Sequence, residues 1–185
     1  KIYGGRIVDK PDMIKMGQYM VLAMLFSSLA ILPCAAEITI KEKILDKTDD
    51  SITVIDEIGR TVIVKLPVKN IISTDYRQME ALLAIGAREM IVGVDNTFHK
   101  RMPYFGLKNV PDVAIHAQEV NYEQVLTLEP DLVIIPARQG ATADEISEKL
   151  KGVPVLAMGL ASRDHIVPEA QIMGEILAKE EEASK

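Results

Sequence analysis

Asp131-Leu132-Val133-Ile134-Ile135 decides the fold. Four large apolar residues follow one another with no polar residue between them. In a strand, successive side chains face opposite sides, so an unbroken apolar run must be buried on both faces. Strands of that kind belong to parallel sheets covered by helices on each side. The run predicts a central strand of such a sheet.

Working outward, the same logic repeats. Asn70-Ile71-Ile72-Ser73 reads as a short buried strand. Thr74 or Asp75 can cap the helix after it, whose apolar face is Met79, Leu82, Leu83 and Ile85 and whose end is Gly86. Met90 to Val94 is a second strand, Val110 to Ile115 a third, and Val153 to Ala157 a fifth. Tyr122 to Leu128, Ala143 to Leu150 and Ile166 to Leu177 are the intervening helices. Ahead of this unit, Ser51 to Ile55 and Thr61 to Leu66 are β-branched runs flanking Asp56-Glu57-Ile58-Gly59-Arg60. They predict a β-hairpin with Gly59 at a positive φ. Lys41 to Asp50 reads as polar connection. The expected class is α/β: a mainly parallel, Rossmann-like sheet flanked by helices and preceded by a hairpin.

The N-terminus is different. Lys10 and Lys15 precede an uncharged stretch from Met16 to Ala36. Its core, Met20 to Leu32, is apolar and is followed by Pro33, Cys34, Ala35 and Ala36. A basic flank, a short apolar core and a small-x-small site form a signal-peptide pattern. The core is shorter than the roughly 20 apolar residues of a spanning helix. The favoured reading is a cleaved signal, with a retained membrane anchor as the alternative. Cys34 also invites acylation, but Pro33 stands where a lipobox has a small residue. Otherwise Cys34 is the −3 residue of a cut after Ala36. Residues 1–15 read as an extension upstream of an initiating Met16. The expected division is thus a signal or anchor with its extension over residues 1–36 and a single lobe over residues 37–185. Glu180-Glu181-Glu182 reads as an interrupted helical run.

Bulk properties narrow the function. The 185 residues carry a net charge of −6, which argues against nucleic acid as a partner. One cysteine excludes an internal disulfide and a multi-cysteine zinc site. There is no Gly-x-Gly-x-x-Gly after the first strand, no P-loop and no nucleophile elbow. His99, His116 and His165 lack the spacing that sets two metal ligands on one helix face. No catalytic constellation emerges, and no cofactor is expected.

Parallel sheets bind ligands beyond the carboxyl ends of their strands. The loops there hold Asp75, Tyr76 and Arg77, then Asn96, Phe98, His99, Lys100 and Arg101. Further on come His116, then Arg138 and Gln139, then Met158. Arg77, Lys100, Arg101 and Arg138 put positive charge on one edge of an acidic chain, as an anionic ligand requires.

The ordered set of segments resembles the solute-binding proteins of type II ABC importers, which take up iron–siderophores, haem and cobalamin. It comprises Ile52-Thr53-Val54 with Asp56 and Gly59-Arg60, Asn70 to Ser73 with Glu80 to Ala87, Ile91 to Asp95, Asn121-Tyr122-Glu123-Gln124-Val125-Leu126 with Leu128-Glu129-Pro130-Asp131-Leu132-Val133-Ile134, Gly152 to Val155, and Met173 to Leu177. The resemblance covers Ile52 to Lys185. It implies two α/β lobes joined by a long helix, of which this chain holds the first. It also implies an exported, periplasmic or cell-surface location, no catalysis, and ABC permease subunits as partners. Glu123 matches the carboxylate that docks to permease arginines, and the strand-end loops match the ligand-facing loops. Some corrinoid binders have aromatics at the positions of Ala117 and Pro136. Their absence here turns the expectation from cobalamin toward a smaller, anionic iron chelate. The alternatives are a small α/β enzyme or nucleotide-binding domain, and a truncated remnant without function.

Overall fold

The hairpin of β2 (Ser51–Ile55) and β3 (Thr61–Lys65) is antiparallel, and β1 (Ile44–Lys47) adds on its open side. The computed structural model describes residues 43–101, 103–114, 119–160 and 163–185, with side chains withheld at 139–141, 163 and 164. The expected signal or anchor lies outside the described residues. Among the described residues no helix is long and apolar enough to cross a membrane.

The second sheet is parallel. Its strands are β4 (Ile71–Ser73), β5 (Ile91–Asp95), β6 (Asp112–Ala114), β7 (Leu132–Pro136) and β8 (Val155–Met158), in spatial order β6-β5-β4-β7-β8. The helices are α1 (Tyr76–Ala84), α2 (Asn96–Arg101), α3 (Tyr122–Thr127), α4 (Gly140–Lys149), α5 (Arg163–Leu177) and α6 (Glu180–Ala183).

Along β7 the side chains divide as the unbroken apolar run predicts. Leu132 and Ile134 enter one core cluster, with Met79, Leu82, Ile172 and the hairpin residues Ile52, Val54, Val62 and Val64. Val133 and Ile135 enter the opposite cluster, with Val125, Ala143, Ile146 and Leu150. Ile71 and Ile72 split the same way on β4. Burying each such side chain contributes about 1.5–3 kcal/mol. The parallel sheet therefore needs a cover on each face. The antiparallel sheet joins α1 and α5 in one of these layers.

Two acidic residues fasten the strands. Asp131 Oδ2 accepts from the backbone N–H of Lys69 at 2.7 Å and of Asn70 at 2.8 Å, pinning the start of β4 to the start of β7. Asp56, with its side chain fully buried, accepts from the backbone N–H of Ile58 and Arg60 and from the Arg60 guanidinium at 2.8 and 2.9 Å. Arg60 also donates to Val155 O at 2.9 Å, and Glu57 N donates to Ala157 O at 3.0 Å. The hairpin turn thus caps the outer edge of β8, whose backbone groups would otherwise be unpaired. Gly59 takes the expected positive φ, +83°, in that turn.

The expected elements differ from the structure in a few places. Lys41 to Asp50 was expected to be polar connection, yet Ile44–Lys47 is a strand. Its side chains are exposed apart from Ile44, so no alternation marks it. Asn96–Arg101 forms a helix where a loop was expected. Asp95 accepts from the N–H of Phe98 at 2.8 Å and starts it. α4 and α5 each begin three residues earlier than their apolar periodicity. β6 is limited to Asp112–Ala114, and Ile115 lies outside the described residues.

Asp56→Ala is expected to destabilise the fold by about 3 kcal/mol or more, because it takes the two-pronged carboxylate from the partly buried Arg60 and leaves the N–H groups of Ile58 and Arg60 without an acceptor. Urea denaturation measures this. A loss below about 1 kcal/mol would contradict the clasp's role.

Candidate functional site at the strand ends

β4 ends in Ser73, and Asp75 follows two residues on with only 3% exposure. Asp75 N-caps α1: its Oδ1 accepts from Arg77 N at 3.0 Å. Its Oδ2 accepts from Arg138 Nη2 at 2.7 Å and lies 3.5 Å from Arg77 Nη1. Arg138 stands just after β7, so this carboxylate ties two neighbouring strand ends together. Beneath it lies a buried polar network. Ser73 Oγ donates to Asp75 O at 3.0 Å, and Gln78 Nε2 donates to Met158 O at 3.2 Å.

The next residue brings in a third loop. The half-buried Tyr76 ring has the Arg77 guanidinium carbon 4.8 Å from its centroid and that of Arg101 at 5.1 Å. Arg101 ends α2, the helix that follows β5. Each such cation–π contact is worth about 0.5–1 kcal/mol at an exposed site. Three adjacent strand ends, β5, β4 and β7, therefore converge on Tyr76, Arg77, Arg101 and Arg138 around one buried acid. Three guanidiniums against Asp75 and the buried Asp95 leave the rim with an excess of positive groups. Guanidinium forks match carboxylate and other oxyanion geometry.

The other expected rim residues are placed differently. Phe98 is 1% exposed and stacks on Phe105 with centroids 6.1 Å apart. It is a core residue and cannot contact a solute on the rim. Met158 is 3% exposed and is buried in the same way. Both are apolar residues beside strand ends, and their burial follows from that apolarity. Both ring nitrogens of His99 are engaged: Nδ1 with Asp112 Oδ1 at 2.7 Å and Nε2 with Leu107 O at 2.9 Å. His99 braces α2 against the β6 side. Lys100 is exposed. Asn96 lines a separate cleft of about 290 Å³ with Asp112 and Asn121. His116 lies outside the described residues, as does the side chain of Gln139, whose backbone belongs to the turn after β7. An open cleft of about 420 Å³ occupies the start of β8, lined by Arg60 to Ile63 and Gly152 to Val155, away from the strand carboxyl ends.

Two buried polar groups at these strand ends were not among the expected site residues. Gln78 is 1% exposed. Asp95 ends β5 at 3% exposure, and burial pushes its carboxyl above the ordinary value. The N–H groups of Phe98 and Thr97 oppose that rise and the charge of Asp75 adds to it. Glu123, in contrast, is exposed in the first turn of α3, whose N-cap Asn121 accepts from Gln124 N at 3.2 Å.

The periplasmic binding protein family matches residues 71–185, and the chain belongs to that family. It is a family of non-enzymatic solute-binding proteins. The molybdate-binding protein MolA of Haemophilus influenzae superposes with a TM-score of 0.64 at 16% identity, over 71% of this chain and 48% of that one. A periplasmic solute-binding protein of Veillonella parvula gives 0.61 at 25% identity, over 71% and 42%. The petrobactin-binding protein YclQ of Bacillus subtilis gives 0.62 at 23%, over 73% and 48%. The chain thus spans less than half the length of these structures. No curated protein sequence matches it.

The raised Asp95 makes a pH prediction. The folded state holds this proton up to a higher pH than the unfolded chain does. The contribution of Asp95 to stability therefore falls as pH rises from about 4, the ordinary carboxyl value, through the raised one. Asp95→Asn keeps the cap oxygen and removes that dependence. Its stability relative to the parent should improve from pH 4 to pH 7 in denaturant melts. A difference that is flat with pH contradicts the assignment.

Proposed function

We propose that this chain is the first lobe of an extracytoplasmic solute-binding component of an ABC importer, and that its strand-end rim receives an anionic iron(III) chelate. The observation that carries this reading is the meeting of Arg77, Arg101 and Arg138 around Tyr76 and the buried Asp75. The guanidiniums supply charge for carboxylate or catecholate oxygens, and the tyrosine supplies a flat apolar surface. Asp75 holds Arg77 and Arg138, and Tyr76 holds Arg101, before any solute arrives, which lowers the ordering cost of binding. The ligands named for the neighbours give the range of comparison. They include petrobactin for YclQ, acinetobactin with ferric iron for BauB, staphyloferrin B for SirA of Staphylococcus aureus, and haem for HmuT.

On this reading the N-terminal residues 1–36 direct export, with membrane association through that segment as the alternative to cleavage. Residues 37–185 form one of two lobes. Exposed Glu123 docks to arginines of the permease, where a charged contact sets orientation and partner choice more than affinity.

Thermal unfolding with ferric siderophores, haem, cobalamin and molybdate tests the ligand class. A ligand present at a hundred times its Kd stabilises by about 2.7 kcal/mol. An anionic ferric chelate is expected to give the largest shift, and Arg138→Ala should cut its affinity about tenfold or more. No shift with any ferric chelate, or one that Arg138→Ala leaves unchanged, contradicts the reading. A molybdate shift in its place would move the ligand class to small oxyanions.

Glu123→Ala is expected to reduce energised uptake in a reconstituted importer while leaving the ligand-induced shift intact. Equal loss of both excludes the docking role.

A further inference from the structure

At the outer edge of β8 three pieces of chain converge on a second polar centre. The β2–β3 turn supplies Glu57. The residues after β8 supply Gly159. Helix α5 supplies His165 and Glu169, which lie four apart and so share a helix face. His165 Nδ1 is 2.9 Å from Glu57 Oε1, and one donor atom from each of the three side chains lies within 4.8 Å of the others. Glu169 is 1% exposed, while His165 is half exposed and open to solvent.

We propose that Glu57, His165 and Glu169 form a binding site for one divalent transition-metal ion of the Zn²⁺ class. One imidazole nitrogen and two carboxylate oxygens are a donor set that Zn²⁺ uses, at about 2.0–2.2 Å from the metal. Glu169 is already aimed: its Oε1 accepts from Gly159 N at 2.8 Å and its Oε2 from Leu160 N at 2.9 Å. Backbone donors of this kind orient a ligating carboxylate.

The surroundings leave room for both carboxyl groups. A cavity of about 10 Å³ borders Glu57 and Glu169 and is lined also by Lys43 and Ile172. Residue 159 is glycine, and a Cβ there would come within 3.0 Å of Glu169 Oε1 and 3.1 Å of Glu57 Cγ, crowding both carboxyl groups.

Electrostatics fits the same reading. Two facing carboxyls in a buried corner need a positive charge or a proton between them. Burial pushes the Glu169 carboxyl up, its two N–H donors oppose this, and contact with Glu57 raises it further. For Glu57 burial also pushes upward, but the hydrogen bonds with Lys43 and Glu169 prevail and hold it low. Lys43 Nζ occupies Glu57 Oε2 and leaves Oε1 facing His165. The sequence pattern is His-x-x-x-Glu with a distant third carboxylate, so a search for paired histidines passes over it.

The test is calorimetric titration of the whole chain with Zn²⁺, with Co²⁺ absorption as a second readout. One equivalent is expected to bind. His165→Ala, at a half-exposed position that the fold does not depend on, should weaken binding tenfold or more and abolish the Co²⁺ spectrum. Lys43→Met, which removes the neighbouring ammonium, should leave the affinity equal or tighter. Absence of binding below millimolar Zn²⁺, or binding unchanged by His165→Ala, overturns the site. Neither result bears on the ligand rim, which uses different residues.

Discussion

One buried carboxylate organises the business end of this lobe. Asp75 is the point where the helix cap of α1, the end of β4 and the arginine after β7 meet. A carboxylate this deep is tolerated only because charged and backbone donors surround it. Those donors include the arginines proposed to meet a solute. The rim's geometry is therefore set by a requirement of folding, and its cationic excess is left over once that requirement is satisfied. Tyr76 extends the arrangement to the neighbouring loop by lying under Arg101.

That arrangement depends in turn on the sheet. Parallel strands place successive loops on one edge, and their order β5-β4-β7 makes the loops carrying Arg101, Tyr76 and Arg138 direct neighbours. Asp131 fixes the relative start of β4 and β7, so their ends are also fixed. At the other side of the sheet, Asp56 and Arg60 seal β8 with the hairpin turn. The same turn carries Glu57 to the corner where His165 and Glu169 wait. Acidic residues at strand and turn boundaries thus serve as fasteners throughout the lobe, each satisfied by nearby N–H groups or guanidiniums.

Much of this was legible in the residues. Leu132 to Ile135 announced a doubly covered strand because periodicity reports burial directly, and the two core clusters divide these residues as alternation requires. Asp75, Tyr76, Arg77 and Arg138 could be placed at strand ends by counting. Their mutual contacts could not, since contacts between loops depend on strand order, which pairing determines and local pattern does not. Phe98 and His99 show the same limit from the other direction. A short polar stretch looked like a loop, but Asp95 starts a helix there that turns Phe98 inward and His99 toward Asp112. Edge strand β1 left no trace because only Ile44 is packed. The Glu57, His165 and Glu169 corner joins residues over a hundred positions apart, and nothing local marks it.

The most direct measurement of the central claim uses the unpaired electrons of ferric iron. Backbone amide spectra of the isotopically labelled chain can be recorded with a ferric carboxylate siderophore and with its diamagnetic gallium counterpart. Iron seated on the rim predicts selective broadening at Asp75 to Arg77, around Arg101 and at Arg138, fading with distance toward Asp131 and the hairpin. Broadening centred on the cleft at the start of β8, or spread evenly over the surface, would contradict the account.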